Sequence, residues 1–417
     1  MSAQHRSEEA VVIIGGGICG ICTAYFLSRD SPGSQIVLIE AEGVASKASG
    51  KAGGFIAKDW HGSATASLGR LSFDLHAELA EELDGGKAYG YRTPLTNMSI
   101  SVKAVDKGAE VEANRAPLVV GADDSHQAQD LHSHSAAHEI IFRARPAATG
   151  PAPSSTWLDH GNVRERELIG DPSGSAQVHP RRFCETLWRE CERRGVRLLL
   201  GEVEGMAQDR APLRVKTNTD GANIEIVPFS KVVVAAGPWS GQVLEKMCNF
   251  DAGITNLPGH SVIIEPSQAL PAEAVFADIR GVRSSDTTTG PELFVRPDSE
   301  EGTTTVYVAG ENTGEPLPDD LHDRSYNEEA IKRLLKACAL ISPALANGRV
   351  VSKALCYRPM TERGYPVISA VPGHEGIFLV SGHGPWGISL GPGSGRVMAD
   401  LVLGKSPSTD ITLLGLQ

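Results

Sequence analysis

The sequence predicts an α/β fold in two domains, and three observations lead to that prediction. The apolar run 11–14 continues into the glycine turn 15–20 and then into a helix-like segment that ends near Ser28. A second apolar run, 36–39, ends in a carboxylate, and strands that alternate with helices are typical of parallel sheets. The chain has 417 residues, which is more than one hydrophobic core usually supports.

The glycine turn and the carboxylate after the second strand predict an adenine dinucleotide site. Gly15 permits the tight turn, Gly17 lets a pyrophosphate approach the backbone, and Gly20 allows the helix to pack closely on the strand. The phosphates would lie at the helix N-terminus, where unpaired N–H groups favour anions. Glu40 is placed to accept hydrogen bonds from a ribose diol and would repel a 2′-phosphate. A chance glycine-rich turn is the alternative.

Composition and charge argue against several classes of partner. The chain has 39 basic and 51 acidic residues and a formal net charge of −12, so we expect no binding to nucleic acid or anionic lipid. No apolar run reaches the roughly 20 residues that cross a bilayer, so we expect no membrane association and a cytoplasmic location. The seven cysteines are odd in number and scattered, which favours reduced thiols over a disulfide framework.

Two patterns could suggest a metal or redox site, but both have simpler explanations. Cys19 and Cys22 form a C-x-x-C pair inside the glycine turn and first helix, and we interpret them as small packing residues. Four histidines lie between positions 126 and 138, in a segment, 103–155, that has the character of an irregular insertion or lid. A solvated loop explains them better than a ligand cluster, so we expect no metal site.

A second glycine-rich segment, 43–55, follows the second strand. Its small residues would let the backbone approach a ribityl chain or a phosphate, and Ser46 and Ser49 offer hydroxyl groups. A flexible surface linker has the same composition and is the alternative. Helical spacing of apolar and acidic residues then predicts a solvent-facing helix over 71–83.

The second half of the chain supplies the remaining pieces. A helix over 181–194 and strands at 196–200 and 232–236 extend the first domain. Segments 261–265 and 303–308 read as strands of a separate antiparallel sheet, so the first domain would be assembled from discontinuous pieces.

A further glycine block lies near the C-terminus. Residues 391–395 precede the helical run 396–403, which predicts a second helix N-terminus that faces a ligand.

These motifs together resemble the superfamily of D-amino-acid oxidase, glycine oxidase and sarcosine oxidase, the DAO family of FAD-dependent oxidoreductases. The resemblance covers most of the chain apart from the insertion. The loop and the element 176–180 look most like an uncharacterised fungal branch. The matching motifs are the glycine turn with Glu40, the loop 49–54, the strand that ends at 235–239, and the C-terminal blocks 356–361, 364–368, 382–387 and 391–395.

The resemblance implies a Rossmann-type FAD-binding domain built from discontinuous segments and an α+β substrate domain with an antiparallel sheet. It also implies FAD rather than NAD, and oxidation of a C–N bond of an amine or amino acid by hydride transfer to flavin N5, with O2 as the acceptor. We expect the FAD-binding domain to comprise 1–90, 170–242 and 355–417, and the substrate domain 91–169 and 243–354.

Two other functions fit the same motifs. A flavin dehydrogenase or oxidative cyclase could act on a larger secondary metabolite. A flavin-containing scaffold or trafficking protein, with vestigial redox chemistry, belongs to a different class, and peroxide release with any amine would separate it from the enzymes.

The resemblance also implies candidate substrate residues. Arg358, in an Arg-Pro dipeptide, would hold a substrate carboxylate through its planar guanidinium, and a structural salt bridge is the alternative. Trp386 and Pro385 stand where relatives carry a Lys or Arg, so a second cation is missing, and His383 and Trp386 suggest an aromatic pocket. His383 could instead bind the loop backbone. His260 could contact substrate or flavin, or lie in an ordinary turn.

Cys356 occupies the position at which sarcosine-oxidase-like enzymes attach FAD covalently, and it is otherwise a packing residue beside the flavin. An attachment would need a nearby positive charge, such as Arg358 or Arg363. The residues expected to contact FAD are Gly15, Gly17, Ile18, Cys19, Gly20, Glu40, Ala41, Ser49, Gly50, Lys51, Gly53, Gly54, Val203, Ala236, Gly237, Trp239, Cys356, Gly384, Trp386, Gly387, Ile388 and Ser389.

Overall fold

The computed structural model describes residues 10–103, 145–206, 211–217, 223–281, 287–297 and 304–416. Within these ranges the chain forms two eight-stranded sheets and a small two-stranded sheet, with helices packed against both large sheets. The predicted α/β fold is therefore confirmed. Most of the expected insertion, including its four histidines, lies outside the described residues.

The first sheet is parallel in its centre and antiparallel at both edges. Strand β1 pairs in parallel with β2 and with β11, and Val12 and Ile13 of β1 are fully buried between layers. In spatial order its strands are β10 (Asn223–Val227), β9 (Leu213–Thr217), β8 (Arg197–Met206), β2 (Ile36–Glu40), β1 (Ala10–Ile14), β11 (Phe229–Val234), β18 (Ile377–Ser381) and β17 (Val367–Ala370).

The second sheet is mostly antiparallel, as the strand patterns at 261–265 and 303–308 predict. Its longest pairing joins β12 to β16, from Ile254 opposite Thr361 to Glu265 opposite Arg349. In spatial order its strands are β16 (Arg349–Thr361), β12 (Ile254–Glu265), β15 (Thr304–Asn312), β14 (Glu292–Pro297), β13 (Glu273–Arg280), β4 (Thr96–Lys103), β6 (Val163–Ile169) and β5 (Ala148–Pro151).

Strand β16 runs across the expected domain boundary between residues 354 and 355. The small sheet pairs β3 (Phe55–Ala57) with β7 (Ser175–Gln177), and β3 directly follows the glycine-rich loop 43–54. The loop therefore lies between the two large sheets, where residues from both can reach it.

Two of the helices begin earlier in the chain than the sequence predicts. The expected helix over 71–83 begins earlier and also buries Leu68, Phe73 and Leu79, so it is not only a solvent-facing helix. The helices are α1 (Ile18–Asp30), α2 (Ala66–Glu82), α3 (Gly85–Tyr89), α4 (Pro180–Arg193), α5 (Ser240–Cys248), α6 (Glu328–Ile341), α7 (Pro343–Ala346) and α8 (Gly387–Val402).

The prediction that a helix begins after the glycine block 391–395 is wrong. Helix α8 begins at Gly387, and the block lies inside it. A Cβ atom on Gly391 would lie 2.4 Å from Ile18, and one on Gly395 would lie 2.4 Å from Cys22, both on α1. These glycines let two buried helices approach each other closely, so they serve packing rather than a helix start.

Candidate functional site

A cavity of about 450 Å³ lies where the glycine turn, the glycine-rich loop and the second sheet meet. Its size falls in the range of roughly 300–1,000 Å³ that is usual for small-molecule sites. It opens at the carboxyl ends of β1, β2 and β11, the edge at which such sheets bind ligands. From the first sheet and its loops the lining residues include 14–19, 39–41, 45–49, 52–55, 201–203, 235–239 and 383–388.

The glycine turn has the close contacts that its pattern predicts. Gly15 has φ +111°, and a Cβ on it would lie 2.4 Å from the carbonyl oxygen of Ala235. A Cβ on Gly20 would lie 2.0 Å from the carbonyl oxygen of Gly15, so Gly20 joins helix to strand and does not line the cavity. Gly17 is the N-cap of α1, and its backbone lines the cavity.

Glu40 lies at the end of β2 and lines the cavity. Its carboxylate accepts hydrogen bonds from the backbone N–H groups of Gly16, at 2.6 Å, and Glu42, at 3.0 Å. Burial raises the pKa of Glu40, and the N–H group of Gly16 opposes that rise. The carboxylate is thus held rigidly against the glycine turn, with its remaining acceptor capacity toward the cavity.

Two hydroxyl groups of the glycine-rich loop reach the cavity. Ser49 Oγ accepts a hydrogen bond from the N–H of Ile18 at 2.9 Å, so the loop covers the N-terminus of α1. Ser46 Oγ is buried and has no hydrogen-bond partner among the residues that the structure describes. Both serines line the cavity, and an orphaned hydroxyl there is suited to a polar ligand.

The structure brings most of the sequence-predicted residues to this one cavity. Five of them lie outside its lining: Gly20, Gly50, Lys51, His260 and Ser389. The predicted residues that line it are Gly15, Gly17, Ile18, Cys19, Glu40, Ala41, Ser49, Gly53, Gly54, Val203, Ala236, Gly237, Trp239, Cys356, Arg358, His383, Gly384, Trp386, Gly387 and Ile388.

Three of the five excluded residues support loops. A Cβ on Gly50 would lie 2.0 Å from the carbonyl oxygen of Ala45, so Gly50 folds the loop on itself. Lys51 Nζ donates to the carbonyl oxygen of Leu355 at 2.9 Å. Ser389 Oγ accepts from the N–H of Ala57 at 3.1 Å.

His260 is not brought to the cavity, and it does not lie in a turn. It is a fully buried residue of β12. Its Nε2 accepts a hydrogen bond from the N–H of Asn327 at 2.9 Å, and its Nδ1 lies 3.3 Å from Thr313 Oγ1. Burial lowers its pKa. These contacts give His260 a role in joining the sheet to the N-terminus of α6.

Arg358 lies on β16, two residues after Cys356, and both side chains line the cavity. Its guanidinium lies over the neighbouring strand, where a Cβ on Gly259 would be 2.3 Å from Nη1. Nη1 donates to Asn312 Oδ1 at 2.7 Å. Burial alone would lower the pKa of Arg358, but Cys356, Tyr307 and Glu292 outweigh it and raise the pKa. Arg358 therefore stays charged and fixed in position.

The cavity wall formed by the second sheet packs against Gly53 of the glycine-rich loop and contains residues that the sequence did not single out. Phe294 and Tyr307 stack with their ring centres 6.1 Å apart, and Phe276 meets Phe294 edge-on at 5.7 Å. Glu292 opens the same strand as Phe294 and faces the cavity with them. The one available signal was a carboxylate at the start of an otherwise apolar run, which is weak evidence without the neighbouring strands.

His383 and Trp386 lie at the N-terminal end of α8. His383 is buried, with Nε2 2.8 Å from Ser394 Oγ and Nδ1 3.6 Å from Cys19 Sγ, so it contacts side chains and not the loop backbone. Burial lowers its pKa to about 4, so it is neutral near pH 7. The Trp386 ring meets His61 edge-on at 4.8 Å. Gly387 and Ile388 present the start of α8 to the cavity.

The cysteines are free thiols. Cys22 is fully buried, and burial raises the pKa of Cys19 to about 12. Within the described ranges, no cluster of three or more His, Cys, Asp and Glu residues could hold a metal ion. The helices of those ranges also include none with the length and apolar character to cross a bilayer.

The fold and the cavity are those expected of a dinucleotide-binding protein. A family profile described as "FAD dependent oxidoreductase", DAO, matches residues 10–401. The chain belongs to this family.

Relatives span the whole chain. It is 30% identical over 429 residues to "Putative oxidoreductase C1F5.03c" of Schizosaccharomyces pombe, with 98% of each chain covered. It is 24% identical over 410 residues to a glycine oxidase of Pseudomonas putida, with 97% of each covered. Among solved structures, glycine oxidase from Geobacillus kaustophilus has a TM-score of 0.70 at 20% identity, with 98% of each chain covered.

Three histidines with desolvated rings, two buried and one partly buried, predict that acid destabilises the fold. Burial lowers the pKa of His61, His76 and His383 to about 4 each. An unfolded chain titrates them at about 6.5, so it binds more protons than the folded chain between about pH 6.5 and 4. We therefore expect the free energy of unfolding to fall as the pH falls through this window.

Melting curves of His76→Gln across that window test this expectation. Glutamine can still donate to the Ile388 carbonyl oxygen, which lies 2.9 Å from His76 Nε2. The variant should lose less stability on acidification than the wild type. The exposed His160, changed to Gln, is the control and should follow the wild type. If the stability of His76→Gln and that of the wild type fall equally as the pH is lowered, the buried imidazole is not the cause.

Proposed function

We propose that this protein is an FAD-dependent oxidase that acts on the C–N bond of an amine or amino acid. The observation that carries the proposal is Arg358, a buried and fixed cation in the same cavity as the glycine turn. The amino-acid oxidases among its relatives support it. All seven cysteines are free, which is usual in a reducing compartment, and we propose a cytosolic location on that ground.

The residues of the first sheet fit the dinucleotide. Glu40 would accept hydrogen bonds from a ribose diol, and the backbone of Gly17 with the N-terminus of α1 would hold the pyrophosphate. Ser46 Oγ, which has no partner among the described residues, would donate to the same ligand. The N-terminus of α8 at Gly387 would stabilise negative charge at the flavin end of the dinucleotide.

Bound FAD supplies a two-electron acceptor for a substrate hydride. The chain's own residues then have to position the substrate. Arg358 would bind a carboxylate through two parallel hydrogen bonds, with Asn312 holding the guanidinium in place. Phe276, Phe294, Tyr307 and Trp386 surround the cavity with aromatic rings and keep water from the reacting carbon.

Assay of two acceptors separates oxidase from dehydrogenase. Purified protein is mixed with each of a panel of amines and D- and L-amino acids. Peroxide release is measured with O2 as the acceptor, and dye reduction is measured with an added electron-accepting dye. We expect peroxide without added dye. Dye reduction without peroxide would indicate a dehydrogenase. No turnover with either acceptor, from a protein that holds FAD, would contradict the proposal.

A dehydrogenase or oxidative cyclase for a larger metabolite is the second candidate. The aromatic wall of Phe276, Phe294 and Tyr307 favours it, because such rings bind apolar or aromatic groups well. One solved structure with the same fold, L-proline dehydrogenase from P. horikoshii, has a TM-score of 0.69 at 17% identity, with 98% of this chain and 96% of that chain covered.

We also propose that Cys356 is the attachment point for FAD. Its thiol lines the cavity and interacts electrostatically with Arg358 and Lys51, so two cations are available to stabilise a thiolate. Arg363 is not one of them, because its guanidinium donates to the carbonyl oxygens of Leu413 and Gly415.

Acid precipitation tests the attachment. If Cys356 is the attachment point, flavin absorbance should stay in the pellet of wild-type protein and move to the supernatant for Cys356→Ala. The buried Cys338 lies on α6, outside the cavity lining, so Cys338→Ala is the control and should behave as the wild type. Flavin found wholly in the wild-type supernatant would leave Cys356 as a packing residue.

A further inference from the structure

Glu292 is a carboxylate that the fold does not use. It begins β14, is followed by three apolar residues, and has an exposed fraction of 9%. Its side chain lines the cavity. No hydrogen bond or ion pair within 4 Å joins that carboxylate to another described residue. Buried carboxylates in proteins are normally paired, so this position is better explained by a ligand than by stability.

Three titratable groups face Glu292 from the elements around it: Arg358 on β16, Tyr307 on β15, and Arg145 in the segment before β5. Burial raises the pKa of Glu292 to about 7, against the lowering effect of Arg358 and Arg145. Arg358 is already held by Asn312 at 2.7 Å. The cavity therefore contains a fixed cation and a nearby carboxylate that are not joined to each other.

This pair of charges discriminates between ligands. A simple carboxylate would be attracted to Arg358 but would lie beside the negative charge of Glu292, which is unfavourable in a buried site. A simple amine would be attracted to Glu292 but repelled by Arg358. A small molecule that carries both a carboxylate and an ammonium group matches both charges, and an α-amino acid is the simplest such molecule.

We propose that Glu292 binds the ammonium group of a zwitterionic amino acid whose carboxylate is held by Arg358. This inference rests on the proposed function and narrows its substrate class from amines in general to α-amino acids. In the bound pair the ammonium proton passes to Glu292: an N–H bond breaks, an O–H bond forms, and the nitrogen keeps the electron pair. The neutral amine is the form whose α-carbon can release a hydride.

Calorimetric binding to the FAD-loaded protein tests the inference with three probes of one shape. 2-Aminoisobutyrate has no α-hydrogen and cannot be oxidised, pivalate replaces its ammonium with a methyl group, and tert-butylamine lacks the carboxylate. At about pH 8 we expect 2-aminoisobutyrate to bind at least about tenfold more tightly than either analogue. Its advantage over pivalate should shrink toward about pH 6, as Glu292 becomes protonated.

The protons exchanged on binding give a second readout. Near pH 7, 2-aminoisobutyrate should release protons, because the bound pair shares one proton between the nitrogen and Glu292, whereas free Glu292 is partly protonated and the free ammonium fully so. Pivalate brings a negative charge beside Glu292 and should take protons up. Titrations in buffers with different ionisation enthalpies measure how many protons are released or taken up when each probe binds. Glu292→Gln should abolish the preference and both proton changes. Asp278→Asn, at an exposed ion pair with Arg280 on β13, is the matched control and should retain them.

The outcomes separate this inference from the proposed function. Equal affinities or equal proton signs for 2-aminoisobutyrate and pivalate, with binding still dependent on Arg358, would overturn the role of Glu292 alone. If tert-butylamine binds as tightly as 2-aminoisobutyrate, the zwitterion is not recognised and the inference is also wrong. Failure of both carboxylates to bind would overturn the proposed amino-acid substrate as well. If Glu292→Gln does not fold, the test uses wild-type protein alone. Proton release with 2-aminoisobutyrate and proton uptake with pivalate then support the role of Glu292, and the same direction with both probes overturns it.

Discussion

Changing Gly17 to valine is expected to give a folded protein that purifies without flavin. Gly17 has φ −79° and ψ −180°, which any residue adopts, and a Cβ there would approach only Ser49 Oγ, at 3.2 Å. The new side chain would instead project into the cavity where a pyrophosphate is expected. Inserting a side chain into such a contact costs about 1–3 kcal/mol, so FAD affinity should fall roughly 10- to 100-fold.

Measurement of bound flavin and of the melting temperature distinguishes this effect from misfolding. Gly43→Val is the matched control, because Gly43 lies in the adjacent glycine-rich loop, does not line the cavity, and a Cβ there would meet no atom within 4 Å. It should stay yellow. A Gly17→Val protein with the full wild-type flavin content would show that the cofactor does not lie against this turn.

Changing Arg358 to methionine is expected to weaken the binding of substrates that carry a carboxylate and to leave the flavin content unchanged. Arg358 lines the cavity on β16, whereas the glycine turn and Glu40 lie on the first sheet. A buried charge-assisted contact contributes about 1.5–3 kcal/mol, so affinity for a carboxylate substrate should fall roughly 10- to 100-fold. Substrate binding and flavin content should be measured on the same preparation.

Arg363→Met is the control for Arg358→Met. Arg363 lies on the same chain segment, but its guanidinium binds backbone carbonyl groups outside the cavity lining. It should leave substrate affinity as in the wild type. If Arg358→Met loses flavin and activity together, the arginine is structural. If its kinetics are unchanged, the substrate has no carboxylate.

The parts of the site that the sequence predicted correctly depend on local chemistry. Gly15 and Gly20 are required where backbone atoms approach within a few ångströms, and Glu40 must follow its strand directly to reach the turn. Each constraint acts within one strand-turn-helix unit, so spacing along the chain is enough to reveal it.

The parts that the sequence did not predict depend on contacts between distant segments. The glycines at 391 and 395 were expected to precede a helix, yet they lie inside α8, where they let α1 pack closely against it. His260 was predicted to contact substrate or flavin. It lies on β12, however, and its side chain accepts a hydrogen bond from the N–H of Asn327. Glu292 is unremarkable in sequence, and it gains meaning only because β14 and β16 place it near Arg358.

Anaerobic titration of the purified yellow protein with amino acids is the most direct test of the central claim. We expect that at least one zwitterionic amino acid bleaches the visible flavin absorbance, that Arg358→Met needs a much higher concentration of it, and that admitting O2 restores the colour with release of peroxide. A flavin that dithionite bleaches, but that no amino acid or amine reduces, would contradict it.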